Sequence, residues 1–144
     1  MAAIDNVLAE LVEEFDLLGD WEERYRYVIE LGKDLAPLTD AERTDDQKVR
    51  GCASQVWLVT EHKTGGALAF RGDSDAHIVR GLIAILIRLY SGHTPTEILA
   101  FDVKSAFETL GLTGALSSQR SNGLASMVAR VRLDAERSGF TPQA

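Results

Sequence analysis

The stretch VRGCASQVWL, residues 49–58, carries the chain's one cysteine. A thiol in its thiolate form attacks sulfur, so Cys52 is the first residue to consider for chemistry. Its neighbours suit that use. Gly51 can adopt backbone angles closed to other residues and leaves room for a large reactant, and Lys48 and Arg50 place positive charge nearby, which favours the thiolate. Residue types alone leave a second reading open, because free cysteine is among the most buried residue types and packs as a small hydrophobe. With no second cysteine the chain has no internal disulfide, no Cys-x-x-Cys pair and no cysteine-rich zinc site, so chemistry at Cys52 needs a second molecule.

A second segment, LSSQRSNGLASMVARVR over residues 116–132, opens with Arg120, Asn122 and Gly123 before Leu124, Met127, Val128 and Val131 fall into core spacing. Glycine in a first turn costs about 1 kcal/mol relative to alanine. Two readings accommodate it: a close helix-to-helix contact with a solvated arginine, or a helix N-terminus that faces an anion such as a thiolate or persulfide, with Arg120 beside it. The remaining reactive types are explained without chemistry. His62, His77 and His93 lack the i, i+4 spacing and partner acids of a metal site and read as structural or solvated, so no metal is expected. Asp73 and Asp75 sit before a helix, where capping and the macrodipole explain them. There is no glycine-rich phosphate loop with its lysine.

These residues need a scaffold, and composition supplies one. The chain has 144 residues, 45% of them hydrophobic and 26% charged, with a net charge of −7. One domain over residues 1–144 with a single core is expected. The acidic balance argues against nucleic acid as partner. The opening MAAIDNVLAELVEEF is acidic and amphipathic rather than signal-like, which gives the expectation of a cytoplasmic protein away from membranes.

Ile4, Val7, Leu8, Leu11, Val12, Phe15 and Leu18 recur at helical spacing. Asp20 and Glu23 form an acidic capping box for a second helix. Residues 39–50, polar and without period, read as a long exposed loop. Residues 55–61 and 67–71 form a hairpin across HKTGG. Asp73, Ser74 and Asp75 offer caps to an almost wholly apolar helix from Ala76 to Tyr90, too short for a bilayer. Thr94, Pro95 and Glu97 start another helix, Asp102 caps a short one that ends at Gly111, and Ser117 or Ser118 opens the last, which runs to Ser138.

GCASQVW, with WEERYRYVIELGKDL, RGDSDAHIVRGLIAIL, the Thr94-Pro95 start, FDVKSAFETLGL and SSQRSNGLASMVARVR, resembles the SufE/CsdE sulfur acceptors of bacterial iron–sulfur cluster assembly over residues 21–132. The resemblance implies an α+β fold like that of IscU-type scaffolds, with helices packed on a small antiparallel sheet. It implies that Cys52 takes persulfide sulfur from a SufS/CsdA-like cysteine desulfurase, stimulates that enzyme, and passes the sulfur to a scaffold such as SufBCD. Pyridoxal phosphate belongs to the desulfurase, so no cofactor of this chain's own is expected, nor autonomous catalysis. One cysteine also speaks against a scaffold role in the IscU manner. A resting pocket beside the start of the last helix is expected to shelter Cys52, with Gly51, Arg50, Gln55 and Arg120 in support. The loop at residues 39–46 and the turn with Asp73, Ser74 and Asp75 are expected to flank the docking surface of a monomer or weak homodimer. A non-covalent desulfurase adaptor and a lone-cysteine thiol peroxidase are the alternatives.

Overall fold

The computed structural model describes residues 4–51, 54–112 and 118–139, apart from the side chains of 118–121 and 139. Among these residues the chain forms six helices and one two-stranded antiparallel sheet. The order is α1 (Ile4–Asp16), α2 (Trp21–Lys33), β1 (Val56–His62), β2 (Leu68–Ser74), α3 (His77–Tyr90), α4 (Pro95–Ala100), α5 (Val103–Thr109) and α6 (Ser118–Gly139). This is the α+β arrangement expected from the sequence.

Local chemistry sets the boundaries. The Asp20 side chain accepts from the Glu23 N–H, and Glu23 answers by accepting from the Gly19 N–H, so the capping reciprocity is shifted by one residue. Thr94 and Glu97 form a complete capping box with Pro95 at the first helical position. The strands join through a 3-10 turn, Thr64–Gly66, in which Gly65 and Gly66 take φ of +82° and +83°. One boundary departs from expectation. Asp73 and Ser74 belong to β2, and the N-cap of α3 is Ala76 without a side-chain bond; only the Ser74 hydroxyl reaches forward, accepting from the Ala76 N–H. The apolar alternation of β2 runs on past Arg71 through Gly72, so the strand keeps pairing, with Val56 opposite Ser74.

The core centres on α3, where Leu82, Ile83, Ile85, Leu86 and Leu89 are fully buried; each contributes roughly 2 kcal/mol relative to exposure. Helix α3 packs on α2 across one side and on β2 across another. The first contact is backbone to backbone: a Cβ on Gly81 would stand 2.0 Å from the Val28 carbonyl oxygen, and one on Gly32 2.6 Å from the Gly81 nitrogen. The second is as tight, since a Cβ on Gly72 would meet Ile83 Cγ2 at 2.7 Å. Helix α1 is tied to this core by Glu14, which accepts from Tyr27 on α2 and from both terminal nitrogens of Arg88 on α3. The Arg88 hydrogen bonds outweigh burial and hold the Glu14 carboxyl below its ordinary range. No helix among the described residues is long and apolar enough to cross a membrane.

Candidate functional site

The segment that leads to Cys52 is more ordered than its composition implies. Residues 39–48 make two successive turns, with the N–H groups of Glu42 and Arg43 bonded to the Thr39 carbonyl and those of Gln47 and Lys48 to the carbonyls of Thr44 and Asp45. The chain then pairs with β1. The Val49 N–H donates to the Val56 carbonyl at 2.8 Å, the Leu58 N–H donates to the Gln47 carbonyl at 2.9 Å, and Lys48 stands opposite Trp57. Val49 is buried. The expected long exposed loop is exposed over most of residues 39–46, but it is turned, and it ends in a β-bridge to β1 with Val49 buried. The Val49–Val56 bond closes the base of residues 50–55.

Cys52 and Ala53 lie outside the described residues; their neighbours define the frame around them. Gly51 has φ of +88°, a left-handed conformation that favours glycine, and a Cβ there would stand 2.6 Å from Ser126 Oγ on α6. The positive φ is what calls for glycine, and the Ser126 hydroxyl marks how closely α6 approaches it. Arg50 is exposed. At the other end of residues 50–55, the Gln55 N–H donates to Asp75 Oδ1 at 3.0 Å, and the Asp75 N–H donates weakly to the Gln55 carbonyl at 3.4 Å. Gln55 thus acts through its backbone, and Asp75 is the residue that holds it.

Asp73 and Ser74 take a different place from the one their sequence position implies. They are 2% and 7% exposed, and the outer side of the hairpin at Asp73 is covered by the turn that begins at Leu38. Arg43 donates to Asp73 Oδ2 at 2.7 Å and stacks over the Trp57 ring, the Leu38 and Ser74 N–H groups point at the same carboxylate, and Arg80 approaches at 3.4 Å. Glu42 pairs with Arg71 one step along the strand. Burial opposes charge on Asp73, but the Arg43 hydrogen bond, the two N–H donors and Arg80 together hold its carboxyl below the ordinary range. Of the three residues expected at a docking surface, only Asp75 faces solvent; Asp73 fastens the approach segment to the sheet, and Ser74 is buried at the end of β2.

Helix α6 closes the site. Leu124, Met127, Val131 and Ala135 are buried at helical spacing, while Gly123, which precedes them, is also buried. Arg120 lies in the first turn of α6, and its side chain is outside the described residues. Two residues that the sequence reading passed over join the frame. Arg130 donates from Nη2 to the Asp46 carbonyl at 2.7 Å and from Nη1 to the Lys48 carbonyl at 3.4 Å. Its Nε meets Asp134 Oδ1 at 3.3 Å, and Asp134 Oδ2 accepts from Thr60 Oγ1 on β1 at 2.7 Å. Their i, i+4 spacing of opposite charge was the available signal. The histidines are dispersed: His62 Nε2 lies 2.9 Å from Ser138 Oγ, His77 is exposed at the start of α3, and His93 is buried, its carbonyl accepting from the Leu68 N–H. Among the described residues no group of three or more His, Cys, Asp or Glu could hold a metal ion.

The described residues on either side of 52 and 53 are thus a glycine set against α6 and a backbone N–H bonded to a carboxylate. The solution structure of a hypothetical protein from Thermus thermophilus has the same fold, with a TM-score of 0.76 at 18% identity, covering 94% of this chain and 97% of that one. An uncharacterized SufE-like protein of Rhizobium etli is 54% identical over 140 residues, covering 94% of this chain and 91% of its own length. Another, from Rhizobium meliloti, is 52% identical over 133 residues, covering 90% and 94%. Residues 9–135 match SufE, the Fe-S metabolism associated domain. By this match and these relatives the chain belongs to the SufE family and has a role in Fe-S metabolism.

Proposed function

We propose that this protein accepts a persulfide sulfur from a cysteine desulfurase onto Cys52, stimulates that enzyme's turnover, and hands the sulfur to an iron–sulfur scaffold. The observation that carries the reading is the residue before Cys52: the chain's single cysteine follows a glycine held at positive φ against Ser126 of α6, in a member of a family of Fe-S metabolism.

The step balances without an added oxidant. The Cys52 thiol gives its proton to solvent, and the thiolate attacks the outer sulfur of the desulfurase persulfide. A new sulfur–sulfur bond forms at Cys52 while the old one breaks, and the desulfurase cysteine leaves as its thiolate. Arg50 and Lys48 favour the attacking thiolate by charge. Arg120 is the candidate to stabilise the persulfide so formed, and Gly51 leaves the approach clear. Pyridoxal phosphate stays with the desulfurase, and this chain contributes the acceptor alone. A reducing compartment such as the cytoplasm keeps a lone thiol free for this use.

The test is desulfurase turnover with free cysteine as substrate, in the presence of the wild-type protein or Cys52→Ser. A covalent acceptor stimulates turnover only with the thiol in place. Undiminished stimulation by Cys52→Ser would replace this reading with that of a non-covalent adaptor, and peroxide consumption that depends on Cys52 and needs no desulfurase would replace it with a peroxidase.

A further inference from the structure

We infer that Arg130 is a positioning residue for Cys52, a brace that fixes the arm leading to it, residues 46–49, against α6; the inference rests on the reading of Cys52 as sulfur acceptor.

One stripe of α6 carries the argument. Ser126, Arg130 and Asp134 follow each other at i, i+4 and i+8, so they stack on one helix face. Ser126 lies against Gly51, Arg130 against the carbonyls of Asp46 and Lys48 in the arm, and Asp134 against Thr60 in β1. The arm's pairing explains why it needs Arg130. In an antiparallel ladder, carbonyls of successive residues point to opposite edges. The Gln47 carbonyl faces β1 and is used there, which turns the carbonyls of Asp46 and Lys48 to the open edge. Arg130 closes that edge with two nitrogens of its planar fork while the third meets Asp134. An ammonium could not span this set, because it is a point charge rather than a fork. Arg130 and Asp134 are 22% and 15% exposed at the side chain, so solvent screens the arrangement only in part. At the far end of residues 50–55, the described contacts are those between Gln55 and Asp75.

The brace predicts a local effect and a kinetic one. In Arg130→Ala, amide exchange at Val49 and Leu58 should quicken about tenfold, the loss expected for one charge-assisted hydrogen bond, while exchange in α3 stays as in the wild type. In a titration of a cysteine desulfurase, the same variant should lower the maximal rate of sulfur acceptance about tenfold and move the half-saturating concentration by less than about twofold. Arg130→Lys should restore only part of either effect. Asp134→Asn, which keeps shape, should give the same pattern at about threefold and serves if Arg130→Ala fails to fold. Unchanged exchange at Val49 and Leu58, or exchange quickened equally in α3, overturns the brace. So does a loosened arm with an unchanged maximal rate, which would leave Arg130 a structural residue only. A wild-type protein that accepts no sulfur would instead remove the acceptor reading, and the exchange pattern would still decide for or against the brace.

Discussion

The crossing of α2 and α3 and the residues that flank Cys52 are held by opposite means. At the crossing, two glycines let backbones touch, and the Val28 side chain packed against Gly81 is fully buried. Around residues 50–55, the described restraints are largely polar, among them the Asp75 carboxylate on the Gln55 N–H, the Arg130 guanidinium on the carbonyls of Asp46 and Lys48, and the backbone bonds to β1. Close apolar packing has no graded way to loosen, because a displaced helix loses its dispersion contacts together. A polar restraint worth about 1 kcal/mol can open and close without disturbing the core. The molecule thus keeps a closely packed support beneath a segment whose flanks are held by polar bonds, an arrangement that suits the acceptor role proposed for Cys52.

Substitutions can break or sharpen this contrast. The largest effect is expected at the crossing. Gly81→Ala puts a methyl 2.0 Å from the Val28 oxygen, a backbone atom that cannot step aside, and should cost about 3 kcal/mol or more and lower the melting temperature by about 10 °C. A stable Gly81→Ala protein would mean that the crossing is not rigid.

Next is Asp73→Asn, which leaves Arg43 and Arg80 facing a neutral group and should cost about 3 kcal/mol at pH 7, the lower end for a broken buried pair because Arg43 is partly solvated. Its pH dependence has a definite sign. The folded-state carboxyl of Asp73 lies below its ordinary 3.8, so its stabilisation is present above that value and is lost as the pH falls through the lowered one. Melting curves from pH 7 to pH 3 should therefore fall more steeply for the wild type than for Asp73→Asn, and parallel curves would contradict the burial of this charge by the 39–43 turn.

Asp75→Ala should act locally. It removes the bond to the Gln55 N–H, worth about 1 kcal/mol, and should raise the rate of Cys52 alkylation by iodoacetamide about fivefold while moving the melting temperature by less than about 4 °C. Unchanged alkylation would show that Asp75 does not govern access to Cys52. The smallest effect belongs to Lys33→Ala, which breaks an exposed pair with Glu30 and should cost no more than about 0.5 kcal/mol.

What could be read from the sequence follows the range of the interactions. The helix of residues 77–90, the Thr94 capping box and the two-glycine turn are set by neighbours within a few positions, and all three stand as the local pattern implies. Asp73 did not yield to the same reasoning. Its place before a helix looked like a cap, yet its fate is set by Arg43, thirty residues earlier, and by a turn whose polar composition hid its function as a cover. Gln47 and Val49 pair with β1 through backbone groups, which composition does not advertise. Arg130 and Asp134 announce each other by spacing, but the carbonyls that Arg130 holds lie more than eighty positions away. Cys52 stands as the proposed acceptor through the family resemblance of the motifs around it, since its own neighbours leave a packed cysteine equally open.

The intact mass of the protein, measured after incubation with a cysteine desulfurase and free cysteine, bears on whether Cys52 is a covalent acceptor. The expected result is a gain of one sulfur atom, removed by a reducing thiol and absent from Cys52→Ser. A wild-type mass that stays unchanged while the desulfurase turns over would contradict it.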